Sequence, residues 1–261
     1  LTVSSGTTVR PRGSVRASGD ITLSGSGAFT NTGATITSTA GDIRITSTGD
    51  AATVTAALAA AGAIEVITQG SSSLLTLDAN AITTSSTERL MLQSRGAVSI
   101  GASRIVQTSG SDLVVWVGSA GGSGHITVAN STCINTNASC NIATSIPTGN
   151  IYFGGGASGS AYPTGPAVTN STHAVLFGTN QPSGIQVLSG GGNIEIRGTT
   201  NSANYGVVFF TGFEMRSTTG AITIVGSTNS AAYQGVRIAN LGTSTITSAR
   251  STGCLLYTSD A

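Results

Sequence analysis

Residues 192–210 read GNIEIRGTTNSANYGVVFF and residues 220–238 read GAITIVGSTNSAAYQGVRI. The two stretches align throughout, with one extra residue, Gln234, before the second Gly-Val. In each, apolar residues at the third and fifth positions (Ile194 and Ile196, Ile222 and Ile224) flank a polar one (Glu195, Thr223). Alternation with period two marks a short strand with one face buried and one in water. One such unit cannot bury its own apolar face, whereas a stack of them can. Stacking predicts Ile194 over Ile222 and Ile196 over Ile224 inside, with Glu195 and Thr223 outside. A shorter echo, GTNQPSGIQVL over 178–188, matches Asn180 with Asn201 and Asn229. The alignment therefore predicts an asparagine ladder along the three copies, beside offset-stacked rings at Tyr205 and Tyr233.

The head of the unit recurs along the whole chain. Gly, a small or polar residue, then apolar, variable, apolar occurs from Gly19, Gly41, Gly62, Gly96, Gly124, Gly149, Gly192 and Gly220, at steps of 21 to 43 residues. A fixed strand joined by loops of variable length gives this loose period. Near-identity from one strand set to the next favours a parallel β-solenoid over a sandwich or an up-and-down barrel. Residues 53–63, TVTAALAAAGA, leave two readings open, a small-residue wall of the coil or a short helix.

Composition excludes other classes. The 261 residues include 36 Gly, and only 8% are charged and 5% aromatic. Ser and Thr are comparably abundant, and such residues are poor helix formers. Hydrophobic residues make up 39% and the net charge is +1, so the chain lacks the polar, highly charged signature of disorder. All 11 cations are Arg, and near-neutrality removes the electrostatic case for nucleic acid. No apolar run is long enough for a membrane span.

The grammar GNIxI, TN, GVxI, TSTTG, with Asn/Ser/Thr corners, resembles the repeat regions of filamentous-haemagglutinin-like adhesins, the large exoproteins of bacterial two-partner secretion. The resemblance covers nearly the whole chain and is best over 178–253; autotransporter passengers share it. It implies a right-handed parallel β-helix, secreted or held at the bacterial cell surface, exported by an outer-membrane transporter and acting as a rod that presents surfaces to a host-cell or surface receptor. The Asn-Pro-Asn-Leu type motif of that family's secretion domain is missing from this sequence. Residues 254–261, CLLYTSDA, break the repeat and resemble a translated sequencing adapter. The expected organisation is an uncapped β-helix over 1–253 and a non-native tail over 254–261.

Candidate chemistry is sparse, and the expected reading is a non-enzyme with no cofactor, no metal and no catalytic residues. With Cys254 set aside in the tail, Cys133 and Cys140 form a close pair that suggests one small disulfide loop in an exported chain, with two free thiols as the alternative. His125 and His173 lack partner motifs. The string GGSGHI over 121–126 resembles a calcium nonapeptide with His in place of the carboxylate ligand. β-Helical polysaccharide-degrading enzymes and tailspikes keep an enzymatic alternative open, because Asp20 and Asp42 share one repeat position and Glu65 and Glu195 another. A purely structural stalk is the third reading. Arg10, Arg12 and Arg16 form a solvated face, and the Asn-x-Ser/Thr triplets at Asn130, Asn137 and Asn170 carry little meaning in a bacterial chain. Residues 154–170, with two of the five prolines, occupy the longest interval between heads and read as an exposed loop.

Overall fold

The computed structural model describes residues 1–49, 51–85, 88–118, 123–136, 140, 149–157, 160–170, 172–179, 184–239 and 243–248, and the backbone of 255–260. Every regular element among them is a β-strand. Sheet A is built from β1 (Thr2–Ser5), β3 (Ile21–Gly25), β6 (Ile43–Ser47), β9 (Ile64–Thr68), β12 (Leu90–Ser94), β15 (Leu113–Val117), β18 (Ile151–Gly155), β22 (Ile194–Thr200), β25 (Ile222–Thr228) and β28 (Leu255–Asp260), with β19 (Ala167–Thr169) beside β22. Sheet B contains β4 (Phe29–Thr30), β7 (Ala52–Val54), β10 (Leu74–Leu77), β13 (Ala97–Ile100), β16 (Ile126–Val128), β20 (Val175–Phe177), β23 (Val207–Phe209) and β26 (Val236–Ile238). Sheet C contains β2 (Val15–Ala17), β5 (Ile36–Ser38), β8 (Leu58–Ala60), β11 (Ala81–Thr84), β14 (Ile105–Gln107), β17 (Cys133–Asn135), β21 (Ile185–Ser189), β24 (Phe213–Ser217) and β27 (Thr245–Ser248).

From β3 to β18 the chain visits A, B and C in turn, and each strand pairs in parallel with its counterpart one coil away. The protein is a parallel β-helix. Residues 53–63, where a helix was one reading, are coil wall, contributing to β7 and β8. Inward Ile, Leu, Val and Phe from all three sheets form one continuous core from Val9 to Val236. The predicted register holds: Ile194 lies opposite Ile222 and Ile196 opposite Ile224, all buried, while Glu195 and Thr223 are partly exposed outside. Each such buried side chain contributes roughly 1.5–3 kcal/mol.

The eight sequence heads are not all equivalent. Six begin strands of sheet A, but those from Gly96 and Gly124 begin β13 and β16 of sheet B. Sheet A at those coils is supplied by β12 and β15, whose LMLQS and LVVWV lack both the leading glycine and the alternation. Glycine is required where coils stack most tightly. A Cβ on Gly192 would sit 2.3 Å from the Gly149 carbonyl oxygen, and one on Gly220 2.2 Å from that of Gly192. A second use is a pinch at the corner between A and B, where a Cβ on Gly198 would meet the Gly206 carbonyl at 2.3 Å and one on Gly226 that of Gly235 at 2.0 Å. The Thr-Asn-Ser corner loops project beyond these pinches.

Strand β28 places the segment after Cys254 in parallel register on β25, with Leu255 opposite Ile222; Cys254 and Ala261 lie outside the described residues. No helix among the described residues is long and apolar enough to cross a membrane.

Candidate functional site

Sheet A carries the most varied outer face. One outward column runs Thr22, Arg44, Glu65, Met91, Val114, Tyr152, Glu195, Thr223, one residue per coil. It therefore passes from polar through apolar and back to polar along the rod.

In the polar N-terminal part, the Glu65 carboxylate accepts from two guanidinium groups, Arg44 at 2.7 Å and Arg89 at 2.9 Å. This triad and Asp20, Asp42 and Glu88 line a cleft of about 420 Å³. The two aspartates lie on adjacent coils, as their shared repeat position predicts, and the geometry gives each a structural task. Asp20 Oδ1 accepts the Asp42 backbone N–H at 3.0 Å, and Asp42 Oδ1 accepts that of Ala63 at 2.8 Å. The same device recurs further along: Asp112 Oδ1 accepts from Asn150 N, Asn150 from Asn193 N, and Asn193 from Ala221 N, at 2.7–2.8 Å. Where the second residue of the repeat head is Asp or Asn, at 20, 42, 150 and 193, it is an acceptor that ties coil to coil, which is why Asp and Asn exchange there. Glu65 and Glu195 share a column but lie four coils apart, about 19 Å at the strand spacing. That separation is too wide for a paired-carboxylate site.

In the middle of the face the outward residues are apolar and covered. Met91, Val114 and Trp116 form a second buried cluster, with Ile67 and Tyr152 packed against it. The cover is the segment read from sequence as an exposed loop. Phe153 pairs with Ile196 and Ala167 with Gly198, so an advance of two residues on β22 is matched by fourteen on the other side, and twelve residues are looped out of one strand. Gly155 and Gly165 close the neck with reciprocal backbone hydrogen bonds of 2.8 and 3.0 Å. The Trp116 indole N–H donates to the Gly156 carbonyl at 3.0 Å, and Arg89 donates to that of Ala161 at 2.8 Å. The Tyr162 ring rests 5.0 Å from that of Tyr152, and its hydroxyl donates to Asp112 Oδ2 at 2.6 Å. This hydrogen bond, then burial and the adjacent carboxylate charge, push the Tyr162 phenol up to about 12. Burial, aided by Asp112 and Glu195, raises that of Tyr152.

The remaining candidates fall elsewhere. Cys133 and Cys140 are joined by a disulfide, with Cα atoms 6.1 Å apart. The Asn229 amide donates to Asn201 Oδ1 at 2.9 Å, but the third rung of that ladder is Asn170, whose Oδ1 accepts from the Asn201 amide at 2.9 Å. Asn180, predicted for it, lies outside the described residues. The true repeat is Thr-Asn-Ser at 169, 200 and 228, and it places His173 in the tyrosine column. His173 stacks on Tyr205 at 5.4 Å and 16°, whereas Tyr205 and Tyr233 meet edge to face at 70° rather than in the expected offset stack. Burial, then the Arg237 charge, lowers the His173 imidazole below its ordinary value, and burial lowers that of His125. Arg10, Arg12 and Arg16 point to solvent or its margin. Gly121 and Gly122 of the calcium-like string lie outside the described residues, and among those described no group of three His, Cys, Asp or Glu could hold a metal.

Trp116, Asp112, Arg89 and Tyr162 were not singled out from sequence. The available signal was local: Leu-Val-Val-Trp-Val is the strand whose outward positions are apolar, so something must cover it. Comparison with family models, with curated proteins and with solved structures finds no match for this chain.

Proposed function

We propose that the chain is a non-catalytic repeat segment of a large secreted or surface bacterial adhesin or exoprotein, a rod that presents its sheet A face for adhesion. One observation carries this reading. The recurrent aspartates Asp20 and Asp42 each spend an oxygen on the next coil's backbone, while the elaboration described at residues 155–157 and 160–166 is built on the outside of the rod. The partners in this reading are a host-cell or surface receptor and, during export, an outer-membrane transporter. The test is to display the purified chain on beads and measure adhesion to epithelial cells and to glycan-coated surfaces, with beads carrying a variant that lacks residues 155–166 alongside. Adhesion that falls at least several-fold in that variant supports the reading, and no adhesion above bare beads overturns it in favour of a structural stalk.

The Asp20, Asp42, Glu65 and Glu88 cleft, with Arg44 and Arg89, favours a second reading as a polysaccharide-degrading enzyme. New reducing ends from a polysaccharide panel, lost in Glu65→Gln, would establish it.

A further inference from the structure

The looped-out residues of sheet A differ from an ordinary insertion because their two ends are already where an uninterrupted strand would put them. Phe153 opposite Ile196 and Ala167 opposite Gly198 keep the alternation and register of β22 on both sides of the gap. The coil is complete without them. What they add is a cover: the outward residues of β15 are fully buried, with Val114 at 0% and Trp116 at 1% exposure, although they point away from the core. On β3 and β6, which lie outside the cover, outward residues stay partly or fully exposed.

The tethers of this cover are few and separable. Among the described residues they are the indole bond to Gly156, the Arg89 bond to Ala161, and Tyr162 on Tyr152 and Asp112, while the Gly155/Gly165 neck joins the two ends of the cover to each other. Each leaves partners that water can satisfy once parted, since the indole N–H, the Asp112 carboxylate and the Arg89 guanidinium would then face solvent. A segment that lies outside the core and is held on the surface of the rod opens locally, below the free energy of global unfolding. Asp112 Oδ1 stays engaged by Asn150 throughout, so release of Tyr162 from Oδ2 leaves the corner of the coil intact.

We infer that this excursion, described at residues 155–157 and 160–166, is a latched strap that swings open at the Gly155/Gly165 neck and bares an apolar patch of Met91, Val114 and Trp116 on an otherwise unchanged rod. Tyr162 is the latch. The strap makes the most apolar part of sheet A conditional: closed, it buries Val114 and Trp116, and open, it exposes the chain's sole tryptophan. The inference concerns the mechanics of this chain and does not rest on the adhesive reading.

The sole tryptophan makes the test direct. Three proteins are compared: the unaltered chain, Tyr162→Ala, and a deletion of residues 155–166 that joins Gly154 to Ala167 in register. Acrylamide quenching of Trp116, bis-ANS binding, far-UV circular dichroism and hydrogen exchange are read on each. The expected result is a several-fold rise in quenching and a gain of bis-ANS fluorescence in both variants, largest in the deletion, with the β signal and the cooperative melt retained. In the unaltered chain the Gly155 and Gly165 amides should exchange at least tenfold faster than those of Ile194 and Ile196. Unchanged quenching in both variants would overturn the inference, as would neck amides that exchange only with the coil. If the deletion loses the β signal, the quenching of Tyr162→Ala and the exchange of the unaltered chain decide the matter by the same criteria.

Discussion

The coils of β3, β6 and β9 and those of β18, β22 and β25 share one cross-section but solve its problems with different chemistry. The first set is short: 22 residues separate Ile21 from Ile43, and 21 separate Ile43 from Ile64. Their interior is aliphatic apart from Phe29, and the A-strand corners are tied by carboxylates. In the second set 43 residues separate Ile151 from Ile194 and 28 separate Ile194 from Ile222. Here the interior holds an aromatic column, Phe153, Phe177, Phe209 and Phe213, with successive centroids 5.3, 4.7 and 4.4 Å apart. The corners are tied by amides instead. The extra residues go into excursions, pinched off by glycine pairs, that leave the stacked strands undisturbed. Cross-section is therefore set by inward residues and corner glycines, while loop length is free to vary.

The largest effect that could break this comparison is in the interior. Phe209→Ala removes the ring between Phe177 and Phe213 and should cost about 3–5 kcal/mol, whereas Ile45→Val in the aliphatic part should cost about 1 kcal/mol. Because coils contact mainly their neighbours, the loss should be local. Hydrogen exchange should show β20, β23 and β24 opening while β3 and β6 stay protected, and uniform loss along the rod would mean that the two regions are one cooperative unit.

Next in size is the corner glycine column. Gly192→Ala places a methyl 2.3 Å from the Gly149 carbonyl oxygen, so neighbouring coils must separate locally, at about 1–3 kcal/mol. Gly19→Ala, with open space around its Cβ, should cost far less. Equal losses by denaturant titration would show that tight stacking is not why glycine stands at the later corner. The ties themselves are smaller. Asp42→Ala and Asn193→Ala each remove an acceptor for the next coil's N–H, at about 1 kcal/mol, with the carboxylate worth more because its hydrogen bond is charge-assisted. An aspartate loss that matches the asparagine loss in 1 M salt and exceeds it in dilute buffer would isolate the charge contribution.

How far these features are legible in the sequence follows the same division. Ile194 over Ile222 was readable because two copies lie next to each other in sequence and alternate with period two. The heads from Gly96 and Gly124 were misplaced because Gly before an alternating triplet describes a corner followed by a strand, and both A and B begin that way. Asn170 was missed because the spacing from Asn to the next inward valine varies between copies, five residues to Val175 but seven to Val236. In sequence the strap reads as a free loop because its Gly and Pro content reports chain reversal and not what the reversal lies against. The apolar outward face of β15 was its trace in the sequence, but a buried triplet on the outside of a solenoid is visible only once inside and outside are known.

The smallest expected effect separates the strap from the coils by pH. Tyr162 donates to Asp112, so ionising the phenol removes the donor and sets a phenolate against a carboxylate. The folded-state value of about 12 lies above the 10.0 of an unperturbed tyrosine. The latch contribution is therefore whole below about pH 10 and is lost as pH rises through about 12. Tyr162 is 38% exposed, so solvent screens the interaction and the energy involved is small. The readout is positional: in a spectrophotometric titration one of the five tyrosines should ionise near pH 12, and that step should vanish in Tyr162→Phe. Quenching of Trp116 should rise over the same interval in the unaltered chain, before the far-UV signal of the coils changes. In Tyr162→Phe it should already be raised at neutral pH and flat through it. A Trp116 response that tracks the far-UV signal would place the strap within the cooperative fold of the rod and erase the distinction between excursion and coil.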